Sequence, residues 1–169
     1  MMDVLIRPAA AEDIATLCAL LFEHGPNPWN HLPYDEVVAH LNGIASSEVA
    51  ALLADSDGEV VGFVSYIRTG SFAAYQPSAR RDVEHAYICE AVTHRAMAGR
   101  GLGSRLLKQV IATLAEQGVQ DIYIERHEEN AASAGMMRKA GFSELLSYAD
   151  PARRPQGSGR TTLCCLRLV

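Results

Sequence analysis

Apolar residues along this chain recur in two rhythms, and each change of rhythm marks a change of element. The run Val4-Leu5-Ile6-Arg7, stopped by Pro8, predicts a short first strand. Ala10-Ala11-Glu12-Asp13 opens a helix whose Ile14, Leu17, Cys18 and Leu21 fall at i, i+3, i+4 and i+7, along one helical face. Gly25-Pro26-Asn27-Pro28 ends it, Trp29 to Tyr34 is irregular, and Tyr34 to Ile44 reads as a second short helix. Glu48 to Asp55 and Glu59 to Thr69 follow as strands, joined by the hairpin signal Asp55-Ser56-Asp57-Gly58.

Gly70 to Arg81 reads as a loop, and Glu84 to Thr93 as the next strand. A glycine cluster from Gly99 to Gly103 leads into a helix reaching about Gln117, with Leu106, Leu107, Val110, Ile111 and Leu114 as its apolar face and Gly118 as its cap. Val119 to Glu125 is a strand, Asn130 to Ala140 a helix closed by Gly141, and Phe142 begins another strand. Asp150 to Gly159 is a long loop before a last strand, Thr161 to Leu168. A strand meander followed by one βαβ unit predicts a single α+β domain over residues 1–169, a mixed sheet flanked by helices.

Composition narrows the chemistry. The 169 residues are 49% apolar and 21% charged, which suits a folded globular chain and is too apolar for disorder. A formal net charge of −5 argues against a nucleic-acid partner, since phosphate-backbone binding needs a basic face. No apolar run approaches the roughly 18–20 residues that span a bilayer, and the first residues lack the basic segment and apolar stretch of a signal peptide. A cytoplasmic protein with no membrane partner is the expectation. Cys18, Cys89, Cys164 and Cys165 form no Cys-x-x-Cys pair and read as reduced apolar fillers. The six histidines show no paired ligand spacing, so no metal is expected.

Ala98-Gly99-Arg100-Gly101-Leu102-Gly103-Ser104 lies between an apolar strand and an amphipathic helix. Glycines there let a ligand approach the backbone, and the helix start presents unpaired N–H groups with positive dipole character. Arg100 and Arg105 add charge, so the segment suits pyrophosphate oxygens. A P-loop requires Gly-Lys before Ser or Thr, and Gly103-Ser104-Arg105 does not supply it. A dinucleotide site requires Gly-x-Gly-x-x-Gly, and Ser104 or Leu106 stands where the third glycine belongs, although Glu125 falls where a ribose-binding acid would. A dinucleotide oxidoreductase is accordingly disfavoured.

Val92-Thr93-His94, the run Arg100-Gly101-Leu102-Gly103-Ser104-Arg105-Leu106-Leu107, then Glu125, Asn130 and Lys139-Ala140-Gly141-Phe142 together resemble the acyl-CoA-binding core of the GNAT acetyltransferase superfamily. The resemblance implies a mostly antiparallel central sheet and acetyl-CoA as co-substrate. It implies that backbone amides of Arg100, Gly101, Leu102, Gly103 and Ser104 hold the CoA pyrophosphate. It further implies that the strand ending near Val92 parts from the one ending near Glu125, with the pantetheine arm in the gap beside Ala91, Val92, Thr93 and Asn130. Two departures stand out: Ala98 replaces the common Arg or Gln opening the loop, and Met137 replaces the common Tyr seven residues after Asn130. A thioether cannot donate a proton.

Acetylating an amine requires removing its proton, meeting the developing oxyanion and releasing a thiol. Glu90 is the first candidate for the base, with pairing to an arginine as its alternative role; Glu84 shares its face by strict strand alternation, a parity that a β-bulge would break, and His85 lies between them in sequence. The Val92 N–H is expected to meet the oxyanion. Ser133, Tyr148 or water could protonate the thiolate. Arg80-Arg81 and Arg153-Arg154 could steer an anionic acceptor if both loops line one cleft, and Trp29 and Tyr34 could wall it. The expected activity is acetyl transfer to a primary amine of a small molecule, the alternatives being a protein amine or a non-catalytic acyl-CoA-binding or sensing domain. A homodimer could form if the final strand presents a free edge.

Overall fold

The meander of the first half consists of β1 (Val4–Pro8), β2 (Ala50–Ser56), β3 (Glu59–Thr69) and β4 (His85–Thr93), each antiparallel to the next. In this computed structural model, which describes residues 3–168, the β2–β3 turn is held by the Gly58 N–H donating to Asp55 Oδ1 at 2.7 Å. Between β1 and β2 run α1 (Ile14–His24) and α2 (Tyr34–Asn42). The Asp13 carboxylate accepts from the Ala10 N–H at 2.8 Å and from both terminal Arg7 nitrogens at 3.0 Å, so the turn entering α1 is tied to β1.

The second half supplies α3 (Leu102–Glu116), β5 (Asp121–His127), α4 (Ala131–Lys139), β6 (Ser143–Ala149) and β7 (Arg160–Arg167). β5 lies parallel to β4, with α3 as the crossover, and the sheet order is β1-β2-β3-β4-β5-β7-β6. The α+β expectation therefore holds, with one correction at the sheet edge. β7 carries ladders to β5 on one side and β6 on the other, so the final strand has no free edge; β1 and β6 are the outer strands.

Both faces of the sheet are covered. Leu106, Leu107, Val110 and Leu114 of α3 are fully buried against Leu52, Ala54, Ala86 and Ile88. On the opposite face, Leu17 and Leu21 of α1 and Leu41 of α2 pack on Leu53 and Phe63. Leu52 and Leu53 facing different layers shows the period-2 alternation directly. Truncating any of these leucines to alanine should cost about 2–5 kcal/mol.

Candidate active site

β4 and β5 pair only from Ala86–Ile122 to Ile88–Ile124, although the strands run on to Thr93 and His127. Beyond Ile88 they part, and a cleft of about 440 Å³ opens between Cys89–Ala91 on one strand and Glu125–His127 on the other. Asn130, Ser133 and Met137 of α4 line it, with Val37 and His40 of α2, residues 30–33 and the Arg153–Arg154 pair. An unpaired stretch between parallel strands leaves backbone groups without ladder partners, ready for an extended ligand.

At the glycine turn, Gly101 has φ of +74° and precedes α3 directly. A Cβ there would meet nothing within 4 Å, so glycine is required by the backbone angle and the space above it is open. The first helical bond into the turn runs from the Arg105 N–H to the Gly101 carbonyl. The amides of Gly101, Leu102, Gly103 and Ser104 have no intrachain acceptor among the described residues. Arg100 departs from the expected set: its N–H donates to the Met97 carbonyl at 3.3 Å, leaving its exposed side chain as its free donor. Four convergent amides at a helix N-terminus form a site suited to a phosphate group.

Glu90 owes its direction to a bulge. Ser65 pairs with Glu90 and Tyr66 with Ile88, so Cys89 is the extra residue, and the strict alternation that would put Glu84 and Glu90 on one face is broken. Ile88 packs toward α3, whereas Val92, two residues beyond Glu90, packs toward α1 and α2. The bulge is held by Ser65, whose Oγ accepts from the Glu90 N–H at 3.1 Å and lies 2.9 Å from His40 Nε2. Burial pushes the Glu90 carboxyl up to about 7, with Arg154 the cation that opposes this rise. No cation lies within ion-pair distance of Glu90 among the described residues, so it is not the arginine-paired surface carboxylate. Burial also lowers the His40 pKa, favouring a neutral ring.

The same ladder corrects the expectation for Val92. The His94 N–H donates to the Val61 carbonyl at 2.8 Å, and bonded pairs alternate along antiparallel strands. The Val92 amide therefore points to Phe63 on β3, while those of Ala91 and Thr93 face the parting with β5. Asn130 caps α4, its Oδ1 accepting from the Ser133 N–H at 3.2 Å, and its side-chain nitrogen has no acceptor among the described residues. Ser133 stands one turn before Met137 on the cleft side of α4, and its hydroxyl carries no partner among the described residues. Met137 is buried and packed into the α3 layer.

Tyr148 lies apart from these groups. Its hydroxyl donates to Glu125 and accepts from Arg153 at 2.8 Å; burial and Glu125 push its pKa up to about 12, and it is not among the cleft's lining residues. Glu125 also accepts from the Tyr87 hydroxyl at 2.8 Å and from Arg153, contacts that favour its charged form. The acid at the ribose-binding position of a dinucleotide fold is thus tied into the cleft floor. His85 is fully buried, its Nε2 accepting from the Phe72 N–H, which suits a packing role. Burial pushes the Cys89 thiol up to about 12, and Cys164 is buried, so neither is poised as a nucleophile.

Only one arginine pair reaches the cleft. Arg80 binds Asp121 at 2.9 Å, away from it, whereas Arg153 and Arg154 line it. The irregular segment contributes a wall through residues 30–33; Tyr34 is exposed and stacks on Phe22, and Trp29 packs on His127. Sequence patterning did not single out Ser65 or His40 as site residues, because their importance arises only from pairing across the sheet.

Comparison with known proteins agrees with this geometry. The profile of the acetyltransferase (GNAT) family matches residues 14–142. An L-methionine sulfoximine/L-methionine sulfone acetyltransferase of Pseudomonas paraeruginosa is 30% identical over 148 residues, covering 83% of this chain and 81% of that protein. Its counterpart in Pseudomonas aeruginosa matches to the same extent. Among solved structures, a GNAT-family acetyltransferase from Streptococcus pneumoniae superposes with a TM-score of 0.75 at 22% identity, covering 99% of this chain and all of that one. Arabidopsis thaliana NAA60 in complex with acetyl-CoA reaches 0.79 at 14% identity, with 98% of each chain covered. These two likenesses establish the shared fold. With its parted strands, its glycine turn and a family profile spanning most of its length, the chain belongs to the GNAT acetyltransferases, which take acetyl-CoA as co-substrate.

Proposed function

We propose that this protein transfers the acetyl group of acetyl-CoA to the primary amine of a small molecule by direct attack of the amine on the thioester. The observation that carries the reading is Glu90: a half-buried carboxylate without an ion pair among the described residues, lining the cleft where β4 and β5 part, with its carboxyl raised to about 7. A carboxylate of that strength can hold a proton taken from an alkylammonium and still be ionised at neutral pH. A cleft of about 440 Å³ suits a small acceptor, and the methionine sulfoximine acetyltransferases the chain resembles are named for small amino-acid substrates.

The amides of Gly101 to Ser104 would hold the pyrophosphate, and the Asn130 side-chain nitrogen would meet the pantetheine arm. The Ala91 and Thr93 amides face the opening and offer fixed dipoles to the oxyanion that forms as nitrogen bonds to the acetyl carbon. When the carbon–sulfur bond breaks, the thiolate can take a proton from the Ser133 hydroxyl or from water. A free thiol has a pKa near 8.5, so the thiolate is a tolerable leaving group and Met137 slows the reaction without forbidding it.

The test is release of free CoA thiol from acetyl-CoA with a panel of primary amines, beside thermal stabilisation by acetyl-CoA alone. Amine-dependent thiol release supports the enzyme. Stabilisation with no thiol release for any amine would favour the acyl-CoA-binding alternative.

A further inference from the structure

Arg153 and Arg154 are sequence neighbours in the loop before β7, and both line the cleft, but their partners differ in kind. Arg153 is neutralised, contacting Glu125 at 3.1 Å and Asp150 at 2.8 Å. Arg154 contacts only neutral acceptors: its Nε donates to Thr161 Oγ1 at 2.9 Å and one terminal nitrogen reaches the Trp29 carbonyl at 3.5 Å. No carboxylate lies within ion-pair distance of it among the described residues. The Thr161 hydroxyl in turn donates to Asp150 at 2.6 Å, so the guanidinium is held through Nε, while its second terminal nitrogen has no acceptor among the described residues.

A half-buried cation without a counter-ion is costly, and a carboxylate meets a guanidinium through two parallel bonds. We propose that Arg154 binds a carboxylate of the acceptor, so that the substrates are amino acids, with the carboxylate on Arg154 and the amine directed to Glu90; this rests on the transferase reading above. The charges then balance: ammonium against Glu90, carboxylate against Arg154. Burial and the adjacent Arg153 disfavour the Arg154 charge more than Glu125 and Asp150, which do not touch it, favour it, and an incoming carboxylate in direct contact would relieve the balance.

The experiment compares L-amino acids, methionine sulfone among them, with their decarboxylated counterparts in the thiol-release assay, for wild type, Arg154→Lys and Arg154→Gln. Wild type should prefer the acids by about tenfold to a hundredfold in kcat/KM, the range of a charge-assisted pair. Arg154→Gln should abolish that preference through acceptor KM, and Arg154→Lys should restore part of it. Equal use of acids and decarboxylated amines by wild type would overturn the assignment, as would an unchanged ratio in Arg154→Gln; in either case acetyl transfer itself would stand. If neither class releases thiol, the transferase reading falls, and this one with it. The wild-type ratio tests the substrate class even if one variant fails to fold, and the other variant then tests Arg154.

Discussion

Replacing Glu90 by glutamine should make the protein slower and, at alkaline pH, more stable. The carboxyl titrates near 7 in the fold against an ordinary 4.5, so ionising it in place costs about 3 kcal/mol more than in the unfolded chain. The sign follows from proton binding: the folded state holds the proton more tightly, so this residue costs nothing below pH 4.5, where both states are protonated. The penalty grows as pH rises from 4.5 through 7 and is complete above it. Glutamine is neutral throughout. The melting temperature of Glu90→Gln relative to wild type should therefore rise by about 6–12 °C between pH 4.5 and pH 8, at roughly 2–4 °C per kcal/mol for a chain of this size. Comparing the two pH values cancels whatever the carboxamide itself costs. In the thiol-release assay at pH 8 the same variant should lose about 10²–10⁴ in kcat/KM, and the wild-type profile should inflect near 7. A melting difference independent of pH would refute the argument that the fold raises the Glu90 carboxyl. Full activity in the glutamine variant would refute the role as base.

Other consequences are as direct. Ser65→Ala leaves the Glu90 N–H without its acceptor inside the sheet and should cost about 1–3 kcal/mol by denaturant melting, with kcat falling more than acetyl-CoA affinity. Gly101→Ala places a side chain at φ +74° where nothing crowds it, so calorimetry should show a strain cost of about 1–2 kcal/mol together with weakened acetyl-CoA binding. Met137→Tyr should leave the acetyl-CoA dissociation constant unchanged while overpacking a buried site by about 1–3 kcal/mol; weakened coenzyme binding would show that α4 does not sit beside the thioester as described.

Much of the framework was legible because it is local. The i, i+3, i+4 pattern of α1 and the apolar face of α3 marked those helices, and Asp55 to Gly58 announced its hairpin. The glycine turn was legible for the same reason: positive φ and unpaired helix amides are properties of a short stretch. What escaped depends on partners distant in sequence. Ser65 and Glu90 are 25 residues apart, and only their meeting across β3 and β4 forms the bulge that puts Glu90 on the sheet face where Val92 meets α1 and α2. Strand alternation alone placed Glu84 and Glu90 together. Arg154 and Trp29 are 125 residues apart, so nothing local distinguished Arg154 from its neutralised neighbour Arg153. The final strand lost its expected edge because β6 folds back along its outer side, a matter of sheet order that periodicity does not carry.

The central claim is that the amides beginning α3 and the parting of β4 from β5 form one continuous seat for acetyl-CoA. A crystal structure of the protein with acetyl-CoA tests it most directly. The account predicts pyrophosphate oxygens on the Gly101 to Ser104 amides and the thioester carbonyl on the Ala91 or Thr93 amide, facing Glu90. Coenzyme density elsewhere, such as in the groove between β1, β2 and α3, would contradict it.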